Sequence, residues 1–118
     1  MSAAYDMRVG ADASFALSVR VFVAESARRL GCTEADVEDL RLLATELLAN
    51  AIDTGQPTLW LTVSLDDDGW LLQARGTGEL VVGGEGGPID RRDVIQGLAE
   101  IRHADDGVTE FRPVVPPS

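Results

Sequence analysis

Residues 33–54, which read TEADVEDLRLLATELLANAIDT, carry the clearest helical pattern in the chain. Thr33 stands three residues before Asp36, and a hydroxyl at this position accepts a hydrogen bond from a free backbone N–H at a helix start. Apolar residues then recur at helical spacing: Val37, Leu40, Ala44, Leu47, Leu48 and Ala51. The polar residues of the opposite side are Asp39, Glu46, Asn50 and Asp53. We therefore expect a helix that ends near Thr54, before Gly55, with one buried and one solvent-facing side.

The chain before this helix predicts a short strand followed by a first helix. Residues 5–9 suit a strand, and residues 14–30 repeat apolar side chains at helical spacing. These side chains are Phe15, Val19, Phe22, Val23 and Leu30. Gly31 is expected to end the first helix, because glycine readily adopts the left-handed backbone of a helix C-cap.

The chain after the second helix predicts an antiparallel hairpin. Residues 58–65 alternate between an apolar face (Leu59, Leu61, Val63, Leu65) and a second face (Thr58, Trp60, Thr62, Ser64). Residues 66–69 read DDDG, a turn composition, and residues 70–75 return as the second strand. Trp60 and Trp70 are expected to lie near each other on the hairpin, either stabilising the sheet or forming a protein-binding patch.

The last third of the chain predicts a loop, a helix and a strand. Residues 76–87 contain six glycines and no hydrophobic periodicity, which is typical of a loop. Asp90 is expected to cap a third helix whose core-facing residues are Val94, Ile95, Leu98 and Ile101. A turn at residues 105–107 then leads to a strand over residues 108–112, and residues 113–118 form a proline-rich tail.

The element order is therefore strand, helix, helix, strand, strand, helix, strand, with no internal repeat or linker. This order predicts a single domain over residues 1–118 of the α/β (α+β) class. We expect a two-layer sandwich with a mixed, largely antiparallel sheet of four to five strands and three helices on one face.

Charge and composition exclude several classes of function. Twenty acidic residues oppose ten basic ones, and the formal charge of −10 should repel nucleic acids and anionic lipid surfaces. All basic residues are arginine, so mechanisms that need a P-loop, Schiff-base or general-base lysine are excluded. Cys32 is the single cysteine, which excludes an internal disulfide. No secretory signal and no apolar stretch of membrane length is visible, so a cytoplasmic location is expected.

The motif within the second helix resembles a known ATP-binding element. Residues 41–52 read RLLATELLANAI and resemble the N-box, Glu-Leu-x-x-Asn-Ala, of the histidine-kinase-like (GHKL, Bergerat-fold) ATPases of the anti-sigma-factor serine kinase group. The preceding Phe22-Val23, residues 28–31 and residues 36–40 resemble the first two helices of the same group. The resemblance covers roughly residues 13 to 112.

The resemblance implies roles for two residues of the N-box. Glu46 and Asn50 are four residues apart and project from one side of a helix. In the family, the asparagine holds a magnesium ion that bridges the ATP phosphates, and the glutamate orients or deprotonates the attacking hydroxyl. Glu46 is therefore the candidate catalytic residue, and Asn50 the candidate metal and cofactor ligand. The alternative is that both belong only to the solvated side of the helix.

The remaining elements of the family's nucleotide site are altered in this chain. The family's Asp-x-Gly-x-Gly box is Ala74-Arg75-Gly76-Thr77-Gly78 here, so Ala74 replaces the aspartate that accepts a hydrogen bond from adenine. Losing such a buried contact costs about 1 to 3 kcal/mol. The loop in the place of the ATP lid carries two glutamates and no basic residue. Of the second glycine box only Gly97 remains, and it could instead serve close packing of a helix on the sheet.

These departures leave three hypotheses about function. The favoured one is an anti-sigma-factor-like regulator in bacterial transcription or stress control, which binds a sigma factor, an anti-sigma antagonist or a second copy of itself. The alternative is an active serine/threonine protein kinase that uses ATP and magnesium to phosphorylate such an antagonist. The third is a domain that binds a different small ligand in the same cleft. Arg91 and Arg92 near the cleft stay unassigned, and His103, the single histidine, is expected to be a cap or surface group.

Overall fold

The computed structural model describes residues 3–80, 91–104 and 106–114, with the side chains of Arg91 and Arg92 left out. Its elements are β1 (Ala4–Gly10), a 3-10 turn (Ala13–Phe15), α1 (Ala16–Leu30), α2 (Glu34–Asp53), β2 (Thr58–Asp66), β3 (Gly69–Arg75), α3 (Arg91–Leu98), β4 (Ala99–His103) and β5 (Thr109–Pro113). None of the helices in these ranges is long and apolar enough to cross a membrane. The expected cap at Asp90 and most of the expected lid lie outside the described residues.

The strands form one five-stranded sheet in the order β1-β2-β3-β5-β4. All four pairs of neighbouring strands are antiparallel. The prediction of an α+β fold with a largely antiparallel sheet and three helices is therefore confirmed. The described residues contain no parallel pair, so the expected mixed character of the sheet is not observed there.

β4 is not predicted from the sequence. The prediction that Ile101 lies on the third helix is wrong, because α3 ends at Leu98 and Ile101 pairs with Phe111 in the sheet. Leu98 and Ile101 are three positions apart, which fits a helix. Ala99 and Ile101 are two positions apart, which fits the alternation of a strand. Pairing with β5 decides between the two, and that partner is not visible in local sequence.

The helices and the sheet share one hydrophobic core. Its largest fully buried side chains include Trp70, Phe111, Leu40, Leu43, Leu47, Leu59 and Leu61. The apolar side of α2 is buried as predicted, and the Thr33 hydroxyl accepts from the Asp36 N–H at 3.1 Å. Ile95 of α3 joins the same core, so α3 packs on the side of the sheet that α1 and α2 cover. Within the described ranges, the opposite face of the sheet carries no helix.

The expected pairing of the two tryptophans is wrong. Trp60 lies opposite Arg75, whereas Trp70 lies opposite Leu65. The tight turn at Asp66 and Gly69 sets this register, which places an even-numbered residue of β2 opposite an odd-numbered one of β3. Trp70 therefore faces the core at 1% exposure, and Trp60 faces the helix-free side at 43%.

Asp66 closes this turn as the sequence predicted. Its carboxylate accepts from the Asp68 N–H at 2.9 Å and pairs with the Arg112 guanidinium through two contacts of 2.9 and 3.1 Å. The hydrogen bonds from Arg112 and Asp68 hold the pKa of Asp66 below its usual range. The turn is thereby tied to β5.

Candidate functional site

Asn50 is fully buried, although it lies on the polar side of α2. Its Nδ2 donates to the carbonyl oxygens of Thr77 at 2.7 Å and Glu79 at 2.9 Å. The segment that follows β3 therefore lies directly over the end of α2. The alternative that Asn50 belongs to a solvated side of the helix is wrong.

Thr54 makes a second contact with the same segment. Its Oγ1 donates to the carbonyl oxygen of Asn50 at 2.8 Å and lies 3.3 Å from that of Thr77. We call the contacts of Asn50 and Thr54 with residues 77–79 the loop clamp. Because the clamp joins residues 23 to 29 positions apart in the chain, it fixes the start of the glycine-rich loop to α2.

Gly76 and Gly78 allow this close approach. Their φ angles are +79° and +73°, in the left-handed region that favours glycine. A Cβ atom at Gly76 would clash with the backbone carbonyl of Thr58, and one at Gly78 would clash with the side chain of Thr54. Both glycines therefore have a packing reason to be present, whatever the loop binds.

A hollow of about 850 Å³ lies beside the loop clamp. Its described lining residues are residues 76–80, Gln96, Ile101, His103, Gly107 and Thr109. The structure thus brings Gly76 and Gly78 together at the edge of one hollow, with Asn50 holding the residue between them. Glu46 lies one helical turn before Asn50, is half-buried, and is not among those lining residues.

Position 74 contributes no polar atom to the hollow. Ala74 is 2% exposed and lies opposite Thr109, which in turn lies opposite His103. The Thr109 Oγ1 is 3.4 Å from the His103 Nδ1. The polar side chains at this end of the hollow are therefore Thr109 and His103. Thr109 is not predicted from the sequence, because nothing there distinguishes it from an ordinary strand residue. His103 is predicted near a helix end, but it lies on β4 instead.

The charge of the hollow is a poor match for a triphosphate. Among its described lining residues the charged or titratable side chains are Glu79 and His103. A triphosphate needs several cationic or backbone N–H donors. The side chains of Arg91 and Arg92, which the sequence analysis left unassigned, lie outside the described part of the structure.

Gly97 is exposed on α3, next to Gln96 at the hollow. No described atom lies within 4 Å of a Cβ built on Gly97, so close packing on the sheet does not account for this glycine.

Gly97→Ala is therefore expected to raise the free energy of unfolding by about 0.5 kcal/mol, because alanine favours a helix over glycine. Urea unfolding of both proteins measures the difference. A loss of stability would contradict the open surroundings of Gly97. A matched Gly107→Ala variant should lose stability, since Gly107 has equally open surroundings but a φ of +84°.

Three features of the described residues differ from the magnesium-ATP site that the sequence resemblance implies. Asn50 directs its amide nitrogen at two carbonyl oxygens, where a metal ligand would present its oxygen. Ala74 offers no acceptor to a base, and the described lining has no arginine. The chemistry that the hollow supports is hydrogen bonding of a small polar group by Thr109, His103 and Gln96.

The structure defines a class: a small two-layer α+β protein with an antiparallel sheet, one open sheet face, and a hollow beside a clamped glycine loop. No family model matches this chain, and no curated protein matches it significantly.

Proposed function

We propose that this chain is an anti-sigma-factor-like regulatory domain that acts by binding other proteins, on a Bergerat-type scaffold whose ATP site is degenerate. Its partners would be a sigma factor or an anti-sigma antagonist in bacterial transcription or stress control. The observation that carries the proposal is the loop clamp, in which Asn50 holds the protein's own backbone.

The loop clamp opposes the use of Asn50 as a magnesium ligand. Turning the amide oxygen toward an ion would break two hydrogen bonds, each contributing about 0.5 to 1.5 kcal/mol. It would also leave the carbonyl oxygens of Thr77 and Glu79 without this donor at a buried position. An ion would have to offset both costs before it contributed any affinity.

The active kinase remains the second candidate because of one observation. Glu46 and Asn50 share one side of α2, and the hollow of about 850 Å³ lies beside the glycines that follow β3. A hollow of this size is typical of small-molecule sites. If the kinase is active, Glu46→Ala should abolish phosphotransfer and leave partner binding nearly intact.

The thermal midpoint with and without millimolar magnesium ATP tests the proposal. A ligand held only by the folded state must raise the midpoint, by roughly 5 °C for a domain of this size at ten times its Kd. We expect a shift below about 1 °C, since position 74 supplies no acceptor. A shift of several degrees would support the kinase and overturn the degenerate site.

Ala74→Asp tests whether an acceptor at position 74 is enough to create nucleotide binding. It places a carboxylate beside Thr109, and we expect a nucleotide-dependent rise in the thermal midpoint that the wild type lacks. Ala74→Val is the control for added volume without an acceptor. If neither variant responds to nucleotide, position 74 does not correspond to the base-binding aspartate of the family.

A further inference from the structure

The helix-free face of the sheet carries one exposed aromatic side chain between two arginines. Trp60 is directly opposite Arg8 of β1 on one side and Arg75 of β3 on the other. Residues directly opposite each other in an antiparallel sheet project from the same face. We call Arg8, Trp60 and Arg75 the Trp60 patch.

The geometry of the Trp60 patch is pre-formed. The Arg8 guanidinium carbon lies 5.1 Å from the centroid of the Trp60 ring, which is a cation–π contact. Among the described strands, Trp60 is the one large hydrophobic side chain that is exposed. Tryptophan and arginine are the residue types that most often dominate protein interfaces, because a rigid ring and a planar cation lose little freedom on binding.

Of the two arginines of the Trp60 patch, Arg8 has no ion-pair partner among the described residues, whereas Arg75 has one. The nearest acidic neighbour of Arg8 along the strand on this face is Asp6. Arg75 pairs with the exposed Asp106 at 3.0 Å, a solvated contact that contributes little. On the same face, the Gln73 side chain donates to the Glu110 carboxylate at 3.0 Å.

A groove of about 250 Å³ runs along the Arg75 side of the Trp60 patch. Its lining residues include Trp60, Thr62 and Arg75, together with Asp106, the ion-pair partner of Arg75. One apolar side chain against Trp60 would fit this groove, and one partner carboxylate could bind Arg8 directly or compete with the exposed Asp106 for Arg75.

We propose that the Trp60 patch is the docking site for an acidic, apolar-containing segment of a partner protein. A partner carboxylate accepts from the guanidinium groups, and an adjacent apolar side chain packs on Trp60. This inference rests on the proposed protein-binding function and adds the chemical class of the partner segment.

The net charge of −10 opposes every anionic ligand at long range, and it opposes an extended polyanion more than a short segment. A nucleic acid reaches beyond the patch to the rest of the acidic surface, whereas a short segment interacts mainly with charges within about 8 Å, the screening length at physiological salt. A peptide that places one or two carboxylates at the arginines therefore experiences mainly the local positive charge.

The test is a titration with three blocked peptides followed by NMR. The probes are acetyl-Gly-Glu-Phe-Glu-Leu-Gly-amide and its counterparts with glutamine or lysine in place of glutamate. The protein has two indole N–H signals, and Trp60→Phe identifies that of Trp60. We expect the glutamate peptide to shift the Trp60 signal with saturation, to bind about tenfold more tightly than the glutamine peptide, and to weaken with added salt.

Variants locate the site of binding. Trp60→Ala and Arg8→Gln should each weaken the glutamate peptide about tenfold. Arg102→Gln is the matched control, because Arg102 is exposed on β4 at the far edge of the same sheet, and it should leave binding unchanged. Circular dichroism checks that each variant is folded.

Several outcomes would overturn this inference. The first is that the glutamate peptide shows no saturable binding, or binds no more tightly than the glutamine peptide. The second is that the protein prefers the lysine peptide or oligo(dT). The third is that Arg102→Gln weakens the glutamate peptide as much as Arg8→Gln does. The result is separable from that of the nucleotide test, because the hollow lies on the helix-covered face of the sheet. Binding of nucleotide would overturn only the proposal that the ATP site is degenerate. Failure of the glutamate peptide to bind would overturn only the proposal that the Trp60 patch is a docking site.

Discussion

Gly76→Ala is expected to lower the free energy of unfolding by about 2 to 5 kcal/mol, combining backbone strain with overpacking. The native φ of +79° is disfavoured for alanine, and the added Cβ would meet the carbonyl oxygen of Thr58. That obstacle is backbone at the start of β2, so no side-chain rotation relieves it. Urea unfolding followed by circular dichroism measures the loss.

Gly55→Ala is the matched control for this prediction. Gly55 has a similar φ of +71°, but no described atom lies within 4 Å of its built Cβ. It should therefore lose only the strain contribution, about 1 kcal/mol. Equal losses in the two variants would mean that residues 76–79 do not pack against β2 and α2 as observed.

The packing of these glycines changes how the sequence motif is interpreted. Gly76 and Gly78 match the family's glycine box, yet each has a steric reason to be glycine that involves only this chain. The same holds for Asn50, whose amide stabilises the loop. These three residues are therefore accounted for by contacts within this chain, and their presence alone does not establish an ATP site.

The sequence predicted the elements whose signals are local. The cap at Thr33, the apolar side of α2 and the alternation in β2 were each readable, because helix and strand periods act over a few residues. β4 was not readable, since its five residues depend on pairing with β5.

The burial of Asn50 could not be predicted for a similar reason. A helical wheel places Asn50 on the same side as Asp53, but residues 77–79 contact Asn50, which is buried, whereas Asp53 is exposed. The faces on which the two tryptophans lie depend on the register of β2 and β3, because a shift of one residue would move each side chain to the other face of the sheet. Long-range contacts therefore determine the site more than they determine the elements.

Asn50→Asp is expected to destabilise the protein by about 3 to 5 kcal/mol at pH 7. The substitution keeps the shape of the side chain but replaces a donor with a carboxylate oxygen facing the carbonyl oxygens of Thr77 and Glu79. Burial and these oxygens would raise the pKa of the new carboxyl in the folded state above the unfolded value of about 3.9. The penalty is therefore absent below the unfolded pKa, grows as the pH rises above it, and reaches its full size once the pH passes the folded pKa.

The dependence on pH separates this effect from simple loss of a hydrogen bond. Asn50→Ala removes the donor without adding charge, so its loss of about 1 to 3 kcal/mol should vary little with pH relative to wild type. Near pH 4, the Asn50→Asp variant with its new carboxyl protonated can donate once and should be no less stable than the alanine variant. Urea unfolding at both pH values measures these differences. Asn50→Asp losing no more than Asn50→Ala at pH 7 would contradict the loop clamp.

Limited digestion with trypsin tests whether the loop clamp holds the loop locally. The chain has no lysine, and Arg75 is exposed immediately before Gly76, so cleavage there reports release of the segment. We expect Asn50→Asp to be cleaved at this site faster than wild type at pH 7, at a temperature where circular dichroism shows that both proteins are folded. Equal rates of cleavage at Arg75 in the two proteins would contradict the loop clamp.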